Sequence, residues 1–260
     1  MTSNSLAVAD INNVYLCRIV THDYFFLTRQ GFTQTFTSEY IGNYGLMYAL
    51  NRTVSSIQRC IINDTKPFYD EDLAKFNIYV TPAKPSLEDK FPWIDGQFIN
   101  WQSQPKIMLT YNSINTISNT TAYAKDDPRA KLNFPLVGKK EKTPPLTSYI
   151  FYAIGKRPES LIRLGKKMSP VRIIIEQLVV KKYAIEFFKP SHPVNISDTS
   201  SKILEGILYH QFPPLFLDAK LKGEYYLCLD QRGHTHSIAL PKPDIYRGVE
   251  FKNLDNRDQN

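Results

Sequence analysis

The sequence has little glycine, 11 residues in 260, and this scarcity excludes collagen-like repeats and flexible glycine–serine linkers. It also lacks long hydrophobic runs: residues 171–175 meet Glu176 at once, whereas a membrane-spanning helix needs roughly 18 apolar residues. The segment MTSNSLAVAD has neither the basic stretch nor the apolar stretch of a secretory signal. We therefore expect a soluble protein of the cytoplasm that does not contact a membrane.

Cysteine is also rare. Cys17, Cys60 and Cys228 are far apart and form no CxxC pair, so the sequence predicts no disulfide framework and no cysteine metal site. P-loop, GxGxxG, GxSxG and HExxH patterns are absent from the sequence, which leaves nucleotide hydrolysis, dinucleotide binding and zinc protease chemistry without support. We expect no cofactor.

One histidine pair is a candidate metal site. His234 and His236 would share one face of a strand, but only Asp230 stands close enough in sequence to add a third ligand. The pattern favours a surface strand over a metal site.

The chain is 42% hydrophobic and 13% aromatic, enough for a substantial core. Its 260 residues allow one large domain or two small ones, and no repeat or linker divides them. We predict a single α+β domain over residues 1–246 with an irregular insertion around residues 81–135. A polar tail is expected over residues 247–260.

The charge is unevenly distributed. Residues 125–189 contain 15 Lys and Arg against 6 Asp and Glu, a net charge of +9, while the other residues together carry −2. Such a concentrated positive field is typical of proteins that bind a polyanion, most often nucleic acid. A solvated basic face is the alternative that charge alone leaves open.

Residue patterns predict the elements. Runs of β-branched and aromatic residues predict strands at 14–27, 77–80, 106–111, 146–154 and 171–178. Helical spacing predicts helices at 39–50, capped by Ser38, and at 200–212. Residues 158–168 read as a loop or short helix, and 111–135 as a long loop. A meander of strands 215–221, 224–229 and 234–240 is expected, with turns at Lys222-Gly223 and at residues 230–233.

Several motifs occur in a familiar order. They are YIGNYGLMYAL at residues 40–50, LTYN at 109–112, NFPLVGK at 133–139, IRLGKKMS at 162–169, FPP at 212–214 and LKGEYY at 221–226. In this order, over residues 14–230, the chain resembles the small RAMP subunit of the type I-D CRISPR Cascade effector complex. Lys167 departs from the aromatic residue expected in relatives.

The resemblance implies an RNA-recognition-motif-like (ferredoxin-like) core with an additional β-rich subdomain. It also implies a non-catalytic role in RNA-guided antiviral defence. The subunit would bind and cap the 5′ handle of the crRNA and join the large subunit to the backbone subunits, with target DNA contacted indirectly or near the PAM. Guide pairing reads the target, so the protein itself need not read target bases.

We predict the RNA-binding residues within this frame. The cations expected to neutralise handle phosphates are Lys139, Lys140, Arg163, Lys166, Lys167 and Arg172. Asn43, Tyr44 and Tyr48 could meet a base or brace the helix on the sheet, and helical spacing favours bracing for the two tyrosines. Thr110 and Asn112 could hydrogen-bond a nucleotide or cap a turn.

The alternative function is a metal-independent endoribonuclease that processes CRISPR repeat RNA. Such cleavage needs a base, an acid and a cation near a 2′-hydroxyl. No spacing in the sequence marks such a site, so the residues alone neither support nor exclude it. The resemblance implies that the chain has no catalytic residues and no enzyme activity.

Overall fold

The structure is a computed structural model that describes residues 13–23, 28–29, 36–51, 69–86, 107–111, 138–143, 145, 147–165 and 169–251. The helices within these ranges are α1 (Asn43–Asn51) and α2 (Tyr69–Leu73). The strands are β1 (Val14–Thr21), β2 (Thr28–Arg29), β3 (Phe36–Thr37), β4 (Ile78–Val80), β5 (Lys84–Pro85), β6 (Ile107–Tyr111), β7 (Gly138–Lys142), β8 (Ser148–Gly155), β9 (Leu161–Leu164), β10 (Ser169–Gln177), β11 (Val179–Phe188), β12 (Val194–Asn195), β13 (Lys202–Tyr209), β14 (Leu215–Leu229) and β15 (Thr235–Ala239).

The first sheet has the strand order β4-β8-β1-β10-β9, and β5 pairs with the remaining length of β8. Alternation along its strands separates two faces: Ile162 and Leu164 are buried while Leu161 and Arg163 are exposed. Helix α1 packs against β4 and β9 and contributes Leu46, Met47 and Leu50 to the core. The helix therefore covers the inner face of this sheet.

The second sheet is built around β14. Strands β11 and β12 pair along one edge of β14, and β13 and β15 pair along the other. Tyr183 of β11, Tyr226 and Cys228 of β14 and Ile238 of β15 belong to the same core cluster as the first sheet. This core therefore joins the two sheets, and a second, smaller cluster within the second sheet contains Val194, Ala219, Leu221 and Ala239.

The predicted fold class is not confirmed by the described residues. Described pairings in both large sheets are antiparallel, including those of β1 with both of its neighbours. The described part is mostly β-strand, so the structure does not confirm the predicted ferredoxin-like α+β core.

The prediction of a helix at residues 200–212 is wrong, because Lys202–Tyr209 is strand β13. Its apolar residues fit a helical spacing, but the backbone pairs with β14 from Lys202 to Tyr209 with two irregularities. Pairing with a strand satisfies the backbone hydrogen bonds that a helix would satisfy internally. In the same way, the loop or short helix expected at residues 158–168 contains strand β9.

The predicted turn at Lys222-Gly223 is also wrong, because both residues lie inside the continuous strand β14. Glu186 of β11 pairs with Gly223, and Lys202 of β13 pairs with Lys222. A β-carbon at position 223 would collide with Ser201. Glycine is needed at position 223 for this close packing and does not mark a turn. The turn at residues 230–233 is confirmed, since β15 follows it and pairs with β14.

Other boundaries shift. The first predicted strand ends as β1 at Thr21, and residues 24–27 lie outside the described residues. Ser38 is not the N-cap, because the helix begins at Asn43 and the amide of Leu46 donates to the carbonyl of Gly42. Val249, within the expected polar tail, is buried in the main core.

Gly155→Ala is expected to lower the free energy of unfolding by about 3 kcal/mol. Gly155 ends β8 with φ +106, and an added β-carbon would collide with the backbone carbonyl of Asn77. Gly233 has φ +83 with nothing within 4 Å, so Gly233→Ala isolates the conformational cost and should lose only about 1 kcal/mol. Urea unfolding of both variants checks this, and equal losses would show that the collision does not matter.

Candidate nucleic-acid interface

The hairpin formed by β9 and β10 carries two of the predicted cations on one face. Arg163 pairs with Pro170, and Leu161 pairs with Arg172. Directly paired residues lie on the same side of a sheet, and so do residues two apart on one strand. Arg163 and Arg172 therefore share the outer face, on the side opposite α1, and both are exposed.

Apolar side chains surround the two arginines. Leu161 is 63% exposed and Ile174, two residues beyond Arg172, is 43% exposed. We call Leu161, Arg163, Arg172 and Ile174 the Arg163 face. It offers guanidinium groups for phosphates beside apolar surface for bases, which is the combination that single-stranded RNA requires.

The structure describes the other predicted cations only in part. Lys139 and Lys140 lie on β7, where Lys139 pairs with Thr110 and Lys140 with Leu109 of β6. The fold thus brings Thr110 and Lys139 together from opposite ends of a long connection. Lys166, Lys167 and Asn112 lie outside the described residues.

The predicted residues of α1 lie on the opposite side of the sheet from the Arg163 face. The Tyr48 hydroxyl donates to Asp72 Oδ2 at 2.7 Å, and the Tyr44 ring is 5.0 Å from that of Tyr69. Both tyrosines are half-buried against the core. Of the two roles considered for them, this geometry supports bracing of the helix.

Asn43 is fully buried within a polar cluster. Its Nδ2 donates to Asp198 Oδ2 at 2.7 Å, and its Oδ1 accepts from Asn195 Nδ2 at 3.0 Å. The Tyr246 hydroxyl also donates to Asp198. Burial raises the pKa of Asp198 to about 6, although these hydrogen bonds oppose the rise. Asn43 thereby ties α1 to β12 of the second sheet and, through Asp198, to Tyr246, which again supports a bracing role.

Asn195, Asp198 and Tyr246 were missed by sequence reasoning. They lie more than 150 residues from Asn43 and belong to no motif, and polar residues in the run Asn195-Ile-Ser-Asp198 are typical of an exposed turn. Only the tertiary structure shows that these residues are buried and form hydrogen bonds in the cluster around Asn43 of α1.

The histidine pair considered as a metal site lies around one carboxylate. His234 Nδ1 is 2.9 Å and His236 Nε2 is 3.4 Å from Asp230 Oδ2, while Tyr152 Oη is 2.9 Å from His236 Nδ1. Desolvation acts to raise the pKa of Asp230, but hydrogen bonds from His234 and His236 hold it well below its usual range. Asp230 also accepts from the backbone amides of Arg232 and His234. It thus organises the β14–β15 turn, and within the described ranges no group of three residues could hold a metal ion.

The buried thiols are not poised for chemistry. Cys17 and Cys228 are free and buried, and burial raises the pKa of Cys228 to about 12. At neutral pH both remain protonated, so they act as core side chains. Cys60 lies outside the described residues.

Neither described helix, α1 or α2, could span a membrane.

Comparisons with known proteins bear on this interface. A search of curated proteins finds no match. The family of type I-D CRISPR-associated proteins Cas5/Csc1 matches residues 12–248, nearly the whole chain and every element from β1 to β15. The chain belongs to the type I-D CRISPR-associated Cas5/Csc1 family.

Proposed function

We propose that this chain is a non-catalytic subunit of an RNA-guided type I-D effector complex in which it binds and caps the 5′ handle of the crRNA. The observation that carries the proposal is the family match over residues 12–248. A subunit at the end of the guide must hold a short single-stranded RNA in one shape, using cations for phosphates and surfaces for splayed bases. The Arg163 face offers both.

The proposed partners follow from that place in the complex. The large subunit and the backbone subunits would contact this chain on either side of the handle, and target DNA would be met indirectly or near the PAM. The net charge of +9 over residues 125–189 supports a polyanion at this part of the chain.

The first test identifies the RNA. The tagged chain is purified from its native host and the RNA that accompanies it is sequenced. Short RNAs with one uniform 5′ repeat sequence followed by varied spacers are the expected result. A random RNA population from the assembled complex would overturn the proposal.

Arg163→Ala with Arg172→Ala is expected to weaken binding of repeat-derived single-stranded RNA about tenfold at near-physiological salt. Because each phosphate contact contributes about 0.7 to the slope of log K against log salt, the slope should flatten by about 1.4. Fluorescence anisotropy with a labelled handle RNA across a salt series measures both quantities.

The matched control removes two exposed arginines from elsewhere in the second half of the chain, Arg232 and Arg247. It loses the same charge and should leave the slope nearly unchanged. Equal slopes for both double variants would mean that net charge, and not the Arg163 face, drives binding.

The endoribonuclease alternative has one observation in its favour. His234 is 67% exposed, and Asp230 holds its Nδ1 at 2.9 Å, so Nε2 faces solvent as a general base would. Repeat RNA incubated with the protein in EDTA distinguishes the two functions. Intact RNA supports the binding subunit, whereas cleavage that His234→Ala abolishes would support the enzyme.

A further inference from the structure

One face of the second sheet places two lysines directly opposite each other. Lys202 of β13 pairs with Lys222 of β14, and both are exposed. Their neighbours on this face have partners: Lys220 lies 2.7 Å from Glu205, and Lys189 lies 3.5 Å from Asp218. Within the described part of the chain neither Lys202 nor Lys222 has a carboxylate at ion-pair distance.

This arrangement costs stability in the isolated chain. Like charges directly opposite on paired strands repel each other and are normally avoided. Departures from such local rules concentrate at functional sites. A bound anion between the two ammonium groups would turn the repulsion into attraction.

Exposed apolar residues continue the face across β14. Phe187 of β11 pairs with the other side of Lys222, and Ile185 pairs with Glu224. The two side chains are 66% and 65% exposed, and Lys222 Nζ is 5.2 Å from the centroid of the Phe187 ring. We call Ile185, Phe187, Lys202 and Lys222 the Phe187 face.

We propose that the Phe187 face binds single-stranded nucleic acid, with a base stacked on the Phe187 ring and a phosphate held between Lys202 and Lys222. An exposed aromatic ring beside a pair of cations is the usual platform for an unpaired strand, because every base has a face that stacks and every nucleotide carries a charge. Phe187 and Lys202 flank β14, so their backbones are roughly 10 Å apart, within reach of a lysine side chain extended toward a nucleotide on the ring.

The Phe187 face goes beyond the proposed handle-binding function. It lies on the second sheet, whereas the Arg163 face lies on the first, and it shares no residue with it. The same chemistry would fit the guide RNA or a single strand of target DNA, so the test uses both.

The experiment measures fluorescence anisotropy of the full chain with two labelled 20-nucleotide probes, a mixed-sequence RNA without the repeat and its DNA counterpart. Lys202→Ala with Lys222→Ala should weaken binding about tenfold and flatten the salt slope by about 1.4. Phe187→Ala should weaken binding about tenfold. Tighter wild-type binding of one probe identifies the natural strand as RNA or DNA.

Three control variants distinguish stacking and local charge from general effects. Phe187→Trp retains a stacking ring and should bind as wild type, while Phe187→Leu retains apolar surface without a ring and should behave as the alanine variant. Lys75→Ala with Lys242→Ala removes two exposed lysines elsewhere and should leave the slope unchanged. Exposed positions are replaced throughout, and unchanged thermal unfolding confirms that each variant is folded.

The outcomes separate this inference from the proposed function. If the Arg163 and Arg172 double variant loses RNA binding while the Lys202 and Lys222 double variant binds as wild type, the Phe187 face is overturned and the proposed function stands. If Phe187→Leu binds as tightly as wild type, the ring does not stack and the face fits a protein surface instead. Loss of binding in the Lys202 and Lys222 variant alone would support the Phe187 face and count against the Arg163 face.

Discussion

Asn51→Asp will lower the free energy of unfolding by about 3–5 kcal/mol at pH 7. Asn51 is fully buried at the end of α1. Its Oδ1 accepts from the amides of Asn77 and Ile78 at 2.9 and 3.1 Å, and its Nδ2 donates to the carbonyls of Met47 and Ile78 at 2.9 and 3.0 Å. This one side chain thus fastens the helix to the start of β4.

Aspartate preserves the shape of this side chain but reverses one half of its hydrogen bonding. The oxygen that replaces Nδ2 would face two carbonyl oxygens with no donor, or with a single proton if the carboxyl is neutral. An uncompensated buried charge next to two acceptors is among the most destabilising changes a core can receive. The loss should shrink as the pH is lowered and the new carboxyl is protonated.

Urea unfolding at pH 7 and pH 4 measures the effect. Asn13→Asp is the matched control, since Asn13 is exposed and its backbone carbonyl, not its side chain, holds Gly155. It should change stability by less than about 0.5 kcal/mol. A loss below 1 kcal/mol for Asn51→Asp would mean that the hydrogen bonds of Asn51 between α1 and β4 contribute little to the stability of the protein.

The second large effect concerns the dependence of stability on pH between about 4 and 6.5. Burial raises the pKa of Asp198 from 3.8 to about 6. The folded state therefore holds a proton that the unfolded state has lost, and stability falls by about 3 kcal/mol as the pH rises through this range.

His192 acts in the opposite direction. Burial lowers its pKa from 6.5 to about 4. Both nitrogens of the neutral ring have hydrogen-bond partners: Nδ1 lies 2.7 Å from the carbonyl of Pro193, and Nε2 accepts from the amide of Ala239 at 3.1 Å. Here the unfolded state binds the extra proton, so stability rises by about 3 kcal/mol as the pH rises from 4 to 6.5.

The two effects nearly cancel in the wild-type protein, so single replacements should reveal each one. Asp198→Asn is expected to give a protein whose stability rises with pH in this range, and His192→Gln one whose stability falls. Unfolding in urea at pH 4, 5, 6 and 7 measures the slopes. His22→Gln, at an exposed histidine, is the control and should keep the wild-type profile. Identical profiles for the Asp198 and His192 variants would show that neither group titrates as described.

Sequence patterns predicted most of the first sheet. The runs at residues 77–80, 146–154 and 171–178 correspond to β4, β8 and β10 within two residues at each end. Strongly β-branched and aromatic runs are hard to place in any other element. The helix at residues 39–50 also corresponds to α1, although it begins four residues later, because the segment before it forms a bridge between Ile41 and Ala83.

The second sheet was predicted less well, for a reason visible at Gly223. In sequence, glycine after lysine is typical of a turn. In the structure the same glycine makes room for Ser201, whose neighbours in β13 pair with β14. The prediction of a turn was wrong because the residue that requires glycine here, Ser201, is 22 positions away in the chain, beyond any local sequence pattern.

The candidate interface shows the same division. The basic character of residues 125–189 and the family resemblance of the IRLGK stretch are properties of the sequence alone, since charge counts and motif order need no coordinates. The family match over residues 12–248 confirms that resemblance. Only the pairing of β9 with β10 shows that Arg163 and Arg172 share one exposed face. Only the tertiary structure shows that Asn43 is buried against Asp198.

The sequence by itself therefore determined the family, the concentration of positive charge and the position of the strongest strands. The tertiary structure alone decided which strands are neighbours, that residues 202–209 form a strand, and that Lys202 stands opposite Lys222. The physical reason is that periodicity reports which side of an element is apolar, whereas pairing depends on contacts between residues far apart in the chain.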